Sequence, residues 1–501
     1  MSMHLSTLLS QRAAHTPNRE ALVSPEGAWS FAEFEQRTQR LAAYFERNGV
    51  VAGDRIAVCA KNSELTCCAL FAAAHLNATL VVMNWRLNAS ELDYVLHNSK
   101  PVALLSQAAF SEVLAPLVAE QPSLLLIGSG EGALGESYEA IQADDTPVQR
   151  KAVQPNHQAP AAIMYTSGTT GRPKGAMLPH RGLISAAQSS IATLNWSRDD
   201  RFLLVAPLFH IGGLSPLVTG VLKGNTSVLL PDFDPATIWD IIARERITSL
   251  MCVPVMLQAM FDVAQSQKVD SSSLVWVLCG AAFVPQALIH TGQALNIAVQ
   301  QVYGITEFCG PVTFWTPEMG LAHANSHGQV IIDAELKIVD PTSLQTLPTG
   351  QDGEIWCRGD MVFSGYWDNT EATAEVLQDG WYRTGDVGRL DDNGFLYLMD
   401  RLKDMIISGG ENIYPAELEA VLEQLEGVAE VAVAGRPDER WGEVPVAFVV
   451  RKPGVELSEE QVIQACRDQL ASYKCVKAVE WLDALPRSPV GKVLRRELVK
   501  R

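Results

Sequence analysis

No window of this 501-residue sequence supplies the roughly 18 consecutive apolar residues of a membrane span. Met1 to Arg12 lacks the long apolar core of a secretory signal, so the expected location is cytoplasmic. The nine cysteines are scattered, apart from the neighbours Cys67 and Cys68, and no Cys-x-x-Cys pair occurs. That fits a reduced setting in which most thiols serve as small core residues. Basic residues are in deficit: 39 Lys and Arg stand against 57 Asp and Glu, a net charge of −18. This argues against nonspecific nucleic-acid binding and leaves room for a local basic patch. There is no internal repeat and no low-complexity tract. What is present is a core: 47% of residues are apolar and 19% charged, as in a globular protein of two or three folding units.

Helical and strand patterns alternate to about residue 130. Phe31 to Phe45 shows an apolar helical face, while Arg55 to Ala60 and Thr79 to Met83 read as buried parallel strands. Residues 128–160 turn polar and read as a surface connection. From 201 to 303 the strand–helix alternation is that of a doubly wound α/β unit, with strands expected at 202–205, 227–230, 249–253, 275–278 and 298–302. Residues 328–400 hold short strand-like runs broken by Gly turns, which predicts a small antiparallel sheet or barrel. After Arg401 the pattern helix, strand, strand, helix, strand predicts a compact α+β unit.

The most informative stretch is Thr166-Ser167-Gly168-Thr169-Thr170-Gly171-Arg172-Pro173-Lys174-Gly175, which follows the apolar run Ala161 to Tyr165. Four hydroxyls, three glycines and a lysine make a donor-rich loop in which backbone can approach a polyphosphate. Its spacing is not that of the Walker loop. Ligands of open α/β sheets sit beyond the carboxyl ends of the strands. The turns at Gly168, Gly280 and Gly304, each after an expected strand, are therefore expected side by side.

Four further motifs follow in order: Tyr303-Gly304-Ile305-Thr306-Glu307, Tyr382-Arg383-Thr384-Gly385-Asp386, Asp400-Arg401-Leu402-Lys403-Asp404 and Pro489-Val490-Gly491-Lys492. Together with the loop they resemble, over essentially the whole chain, the adenylate-forming superfamily of acyl-CoA synthetases, luciferases and adenylation domains. The resemblance implies an α/β fold: a large N-terminal domain, residues 1–400, of doubly wound subdomains plus a small β-barrel, then a small mobile C-terminal domain, residues 401–501. It implies ATP, Mg²⁺ and coenzyme A as partners of a small carboxylic acid. Lys492 would lie between the carboxylate and the α-phosphate; on charge alone it reads as a solvated tail lysine. Glu307 would hold Mg²⁺, a cation that wants oxygen ligands. Thr166 and Thr306 would touch phosphate oxygens, with Ser167, Gly168, Thr169, Thr170, Gly171 and Lys174 completing the loop. Tyr303 would stack on adenine, with Gly280, Ala281 and Ala282 along its other face; taken alone, Tyr303 reads as a core residue. Asp386 would accept the ribose hydroxyls, although an Asp after Gly385 is also a common turn residue. Arg401 would contact ribose or phosphate, and Lys403 would be the hinge of the small domain.

For the thiol, the resemblance places Arg86, Trp441, Tyr473 and Lys474 at the CoA nucleotide. Ser408, Gly409 and Gly410 would line the pantetheine tunnel, a run that also reads as a simple tight turn. Cys475 departs from relatives with a basic residue there, and no carrier-protein domain follows Arg501 here, so free CoA is the expected acceptor. The acid is expected between segments 206–216, 251–260, 279–284 and 303–314, which contain no Lys or Arg. A dicarboxylate would want a buried cation, so it is disfavoured. Phe209, Gly212, Met256, Phe308 and Val312 make an apolar pocket, with His210 facing the carboxylate. A fatty acid of medium or greater length, or an aromatic acid, fits. Three readings stay open: an acid–CoA ligase, an enzyme loading carrier-bound pantetheine, and a nonenzymatic nucleotide-binding protein. A homodimer is allowed, and nucleic acid and membrane spans are not expected.

Overall fold

A computed structural model describes residues 4–144, 154–166, 173–282, 284–401, 404–408, 411–438, 441–470, 474–487 and 493–500. The chain divides into two compact units, one of residues 1–336 with 357–382 and the other of residues 337–356 with 383–501.

The first unit is built on two large sheets. The seven-stranded sheet runs in the order Glu136–Ser137, Leu125–Ser129, Ala103–Gln107, Arg55–Cys59, Thr79–Val82, Pro160–Thr166 and Lys174–Pro179. The strands Arg55–Cys59 and Thr79–Val82 pair in parallel, as their unbroken apolar runs predict. The nine-stranded sheet has the order Gln329–Val330, Gly310–Trp315, Ala298–Ile305, Trp276–Gly280, Ser249–Cys252, Arg201–Leu204, Thr226–Leu229, Glu20–Ser24 and Gly27–Ser30. Its five expected strands between 201 and 303 are all present within a few residues.

Local sequence explains much of the helical layer. The helix Phe31–Arg47 starts on a capping box in which the Ser30 side chain accepts from Glu33 N–H while the Glu33 carboxylate accepts from Ser30 N–H at 2.7 Å. In Glu64–Leu76 every residue except His75 is buried, which accounts for Cys67-Cys68: both are core thiols, and all nine cysteines are buried and free. Burial raises the Cys67 and Cys68 thiols well above their ordinary range, so neither is a nucleophile. Glu64 is buried with them and is satisfied by a bidentate Arg37 at 2.6 and 3.2 Å and by the Tyr138 hydroxyl at 2.8 Å. Tyr138 corrects the reading of 128–160 as surface connection. It opens the short helix Tyr138–Ala143 and is 3% exposed, because its hydroxyl is needed at that buried carboxylate.

A five-stranded half-barrel sheet takes the order Ala334–Val339, Gly353–Gly359, Trp381–Leu390, Leu377–Gln378, with Leu396–Arg401 on the other side of Trp381–Leu390. The last sheet belongs to the second unit: Glu411–Ile413, Ile406–Ser408, Gly442–Arg451 and Val428–Asp438 in order, with Ala478–Trp481 parallel to Gly442–Arg451. Helices Pro415–Leu422 and Glu459–Gln469 pack on it through Leu418, Leu422, Val462 and Cys466. The α+β pattern expected after Arg401 is therefore the observed one.

Candidate active site

The strand Pro160–Thr166 pairs antiparallel with Lys174–Pro179, so that Thr166 stands opposite Lys174 at the two ends of the hydroxyl-rich loop. Ser167, Gly168, Thr169, Thr170 and Gly171 lie outside the described residues. Thr166 Oγ1 is 3.4 Å from the Lys174 carbonyl and 3.5 Å from Glu307 Oε1. The two sheets thus bring their predicted phosphate and metal residues to one place. Glu307 sits in the short 3₁₀ turn Thr306–Phe308 at the exit of the strand Ala298–Ile305 and is 9% exposed.

A residue that sequence reasoning missed completes this corner. The Tyr366 hydroxyl donates to Glu307 Oε1 at 2.9 Å, and the Lys174 ammonium lies 5.3 Å from the centre of the same tyrosine ring. Backbone bonds fix the segment: Phe363 N–H reaches Glu307 O, Ser364 N–H reaches Met177 O, Met177 N–H reaches Gly365 O, and Trp367 N–H reaches Gly175 O. Tyr382 lies close by; burial first, then the Glu307 carboxylate, pushes its phenol well above the ordinary value, so it stays protonated.

Gly280 pairs with Val302 on the neighbouring strand, one residue before Tyr303, so the expected turn and the tyrosine are neighbours. A Cβ on Gly280 would stand 2.5 Å from Val302 O, which is why glycine is required there. Ala281 follows at φ +68°, a left-handed conformation that turns the chain sharply. Ala281, Ala282 and Gly304 are exposed, and Tyr303 is 7% exposed.

His210 is the N-cap of the helix Ile211–Lys223. Its ring is 4.7 Å from that of Phe209, Phe209 is 6.2 Å from Trp85, and the Arg86 guanidinium lies over both Trp85 (4.9 Å) and Phe209 (5.7 Å). A residue expected at CoA and two expected at the acid therefore share one aromatic cluster. Trp85, next to Arg86 in the chain, is a member of this cluster that the sequence pattern does not mark. A Cβ on Gly212 would meet Met251 Cε at 3.0 Å. Met256 is half-buried, whereas Phe308 and Val312 are 0% exposed and packed in the core.

In the second unit, Asp386 and Arg401 stand opposite each other on paired strands, and Asp386 is buried with its N–H on Thr384 Oγ1 at 3.0 Å. Ser408 pairs with Gly442, next to the half-exposed Trp441. Lys474 is held by both Glu417 oxygens at 2.7 Å. Lys403, Gly409, Gly410, Tyr473 and Lys492 lie outside the described residues.

Among the described residues no three His, Cys, Asp or Glu side chains gather as a metal cluster. The donor set instead offers one buried carboxylate, Glu307, beside the Thr166 hydroxyl. That suits Mg²⁺, which keeps several waters and takes one or two carboxylates plus substrate phosphates. No helix among the described residues is long and apolar enough to cross a membrane.

A buried carboxylate beside Thr166, where the hydroxyl-rich stretch begins, in a unit built on two large sheets, fits a nucleotide-activating enzyme. The chain belongs to the AMP-binding enzyme family, whose model matches residues 9–367, and the family's C-terminal domain model matches residues 417–492. It is 36% identical over 499 residues, 99% of this chain and 98% of the relative, to the long-chain-fatty-acid–CoA ligase FadD13 of Mycobacterium tuberculosis. It is 38% identical over 504 residues, 100% of this chain and 99% of the relative, to the indoleacetate–CoA ligase of Aromatoleum aromaticum. Among solved structures, o-succinylbenzoate coenzyme A synthetase from Bacillus subtilis in complex with ATP and magnesium ion superposes with a TM-score of 0.87 at 32% identity, covering 99% of both chains.

Proposed function

We propose that this chain, an AMP-forming acid–thiol ligase, activates a monocarboxylic acid with an apolar tail, either a fatty acid of medium or greater length or an aromatic acid. The carboxylate oxygen attacks the α-phosphorus of ATP and pyrophosphate leaves. The CoA thiol then attacks the acyl carbon and AMP leaves. The observation that carries this reading is the buried Glu307, fixed by Tyr366 and set beside Thr166 at the root of the donor-rich loop.

Glu307 and Thr166 would hold Mg²⁺, which when bound neutralises phosphate charge. Lys174 and the loop 166–175 bind the polyphosphate. Tyr303 and the Gly280–Ala282 turn hold the adenine, and Asp386 accepts the ribose hydroxyls beside Arg401. Lys492 neutralises the charge that builds up as one anion approaches another. His210 and Phe209 orient the acid, Arg86, Trp441 and Lys474 bind the CoA nucleotide, and residues 401–501 move about Lys403 between the two steps. Met256 shapes the apolar end, and the fully buried Phe308 and Val312 support it from the core. The absence of Lys and Arg from the acid segments supports a substrate with a single carboxylate.

The test is a panel of acids graded in length and aromaticity, incubated with ATP, Mg²⁺ and CoA while AMP is followed. A clear optimum among apolar monocarboxylates is expected; preference for a dicarboxylate would refute the pocket assignment.

A further inference from the structure

In a protein with 57 acidic and 39 basic side chains, one cleft gathers cations. It measures about 630 Å³ and lies where four segments meet. Arg12 comes from the helix Leu5–His15, Ile191 from His180–Thr193, Trp196 and Arg198 from the turn that follows, and Leu222 and Lys223 from the end of Ile211–Lys223. Arg12 is anchored by donating Nε–H to the Val221 carbonyl at 3.0 Å. Among the described residues no ion pair or hydrogen bond engages the Arg198 guanidinium or the Lys223 ammonium. Asp199 pairs with Arg19 at 2.9 Å; Asp200 accepts from Ser197 N–H at 2.6 Å and from Thr248 at 2.9 Å, and it feels the charge of Lys223 without an ion pair to it. Burial, then Arg198 and Arg19, hold the Arg12 guanidinium below its ordinary value. Like charges drawn together store repulsion that an anion would relieve. The apolar floor is Trp196, Ile191 and Leu222. Trp196 is 6% exposed, and its indole N–H has no hydrogen-bond partner.

We propose that this cleft binds a small amphipathic anion, with a phosphate or carboxylate head on Arg198 and Lys223 and a compact apolar body against Trp196. It is separate from the acyl-transfer site. Lys223 ends the helix that His210 caps, and 13 residues at the ordinary rise span about 20 Å.

The test is calorimetric titration with hexyl phosphate, in the presence of AMP to fill the nucleotide site, of the wild type and of the Arg198→Ser/Lys223→Ser double variant. Both are first shown to form acyl-CoA at the same rate. Hexyl phosphate is expected to bind the wild type saturably and the variant about tenfold or more weakly, the loss of two charge-assisted contacts. Inorganic phosphate is expected to bind more weakly than hexyl phosphate, and hexanol not at all. Equal affinity for both proteins, or equal affinity for hexyl and inorganic phosphate, would overturn the proposal. So would capture of the wild type by anionic phospholipid vesicles without binding of the soluble probe. Should the double variant fail to fold, Lys223→Glu alone carries the same expectation.

Discussion

The hydroxyl of Tyr366 donates to Glu307 Oε1 at 2.9 Å, across 59 residues of sequence, and so aims the one buried carboxylate of the donor-rich corner. Tyr366→Phe keeps the ring and removes the bond. Partners that orient a metal-binding carboxylate are worth roughly tenfold or more in metal affinity. The magnesium concentration for half-maximal AMP formation should therefore rise about tenfold, while Glu307→Gln should lose activity at every magnesium concentration. A magnesium titration of both variants checks this; an unchanged midpoint in Tyr366→Phe would mean that the bond only packs the core.

Lys492→Ala separates the two chemical steps. Pyrophosphate exchange into ATP should fall to background, because the cation between the two anions is gone. Thioester formation from supplied acyl-adenylate should stay within a few-fold of wild type. Equal loss in both assays would contradict this assignment.

Arg86→Ala distinguishes recognition from packing. If the guanidinium meets a CoA phosphate, KM for CoA rises about tenfold with acid-dependent pyrophosphate exchange unchanged. If it only steadies Phe209, which it overlies at 5.7 Å, KM for the acid moves instead.

Acid should destabilise the first unit in a defined window. His4 and His180 stack at 3.8 Å, and both are buried. Burial lowers His4 to about 4 and His180 well below the ordinary value, and it lowers the buried His327 to about 4. Between the unfolded value of 6.5 and about 4, the unfolded chain binds more protons than the folded one. Stability is therefore full above pH 6.5 and falls as pH drops, by about 1.4 kcal/mol per pH unit for each such histidine. Urea denaturation from pH 7.5 to 5 tests the slope, and His327→Asn should flatten it by about one histidine's share.

Gly280→Ala should cost about 1–3 kcal/mol of stability, since the new Cβ would press on Val302 O between two paired strands. A denaturant midpoint unchanged from wild type would remove the steric reason given for this glycine.

Much of this was legible beforehand because it depends on neighbours in the chain. The strands 55–59, 79–82 and 276–280 announce themselves as apolar runs, and the helix Phe31–Arg47 carries its own cap. The helix Ile211–Lys223 was not read, because Gly212, Gly213 and Pro216 are breakers by local propensity; it forms because ten of its residues are buried by the rest of the fold. Helix Tyr138–Ala143 escaped for the same kind of reason: its buried tyrosine answers Glu64, far away in sequence.

By itself the sequence determined the donor-rich loop, the order of motifs that marks the family, the neutral acid segments and the alternation that builds the sheets, since each is written within a few adjacent residues. Only tertiary structure decided that Tyr366 meets Glu307, that Arg86, Trp85 and Phe209 cluster beside His210, and that Arg12, Arg198 and Lys223 converge. Such contacts join distant positions, and strand register with core packing, rather than local propensity, fixes which of them touch.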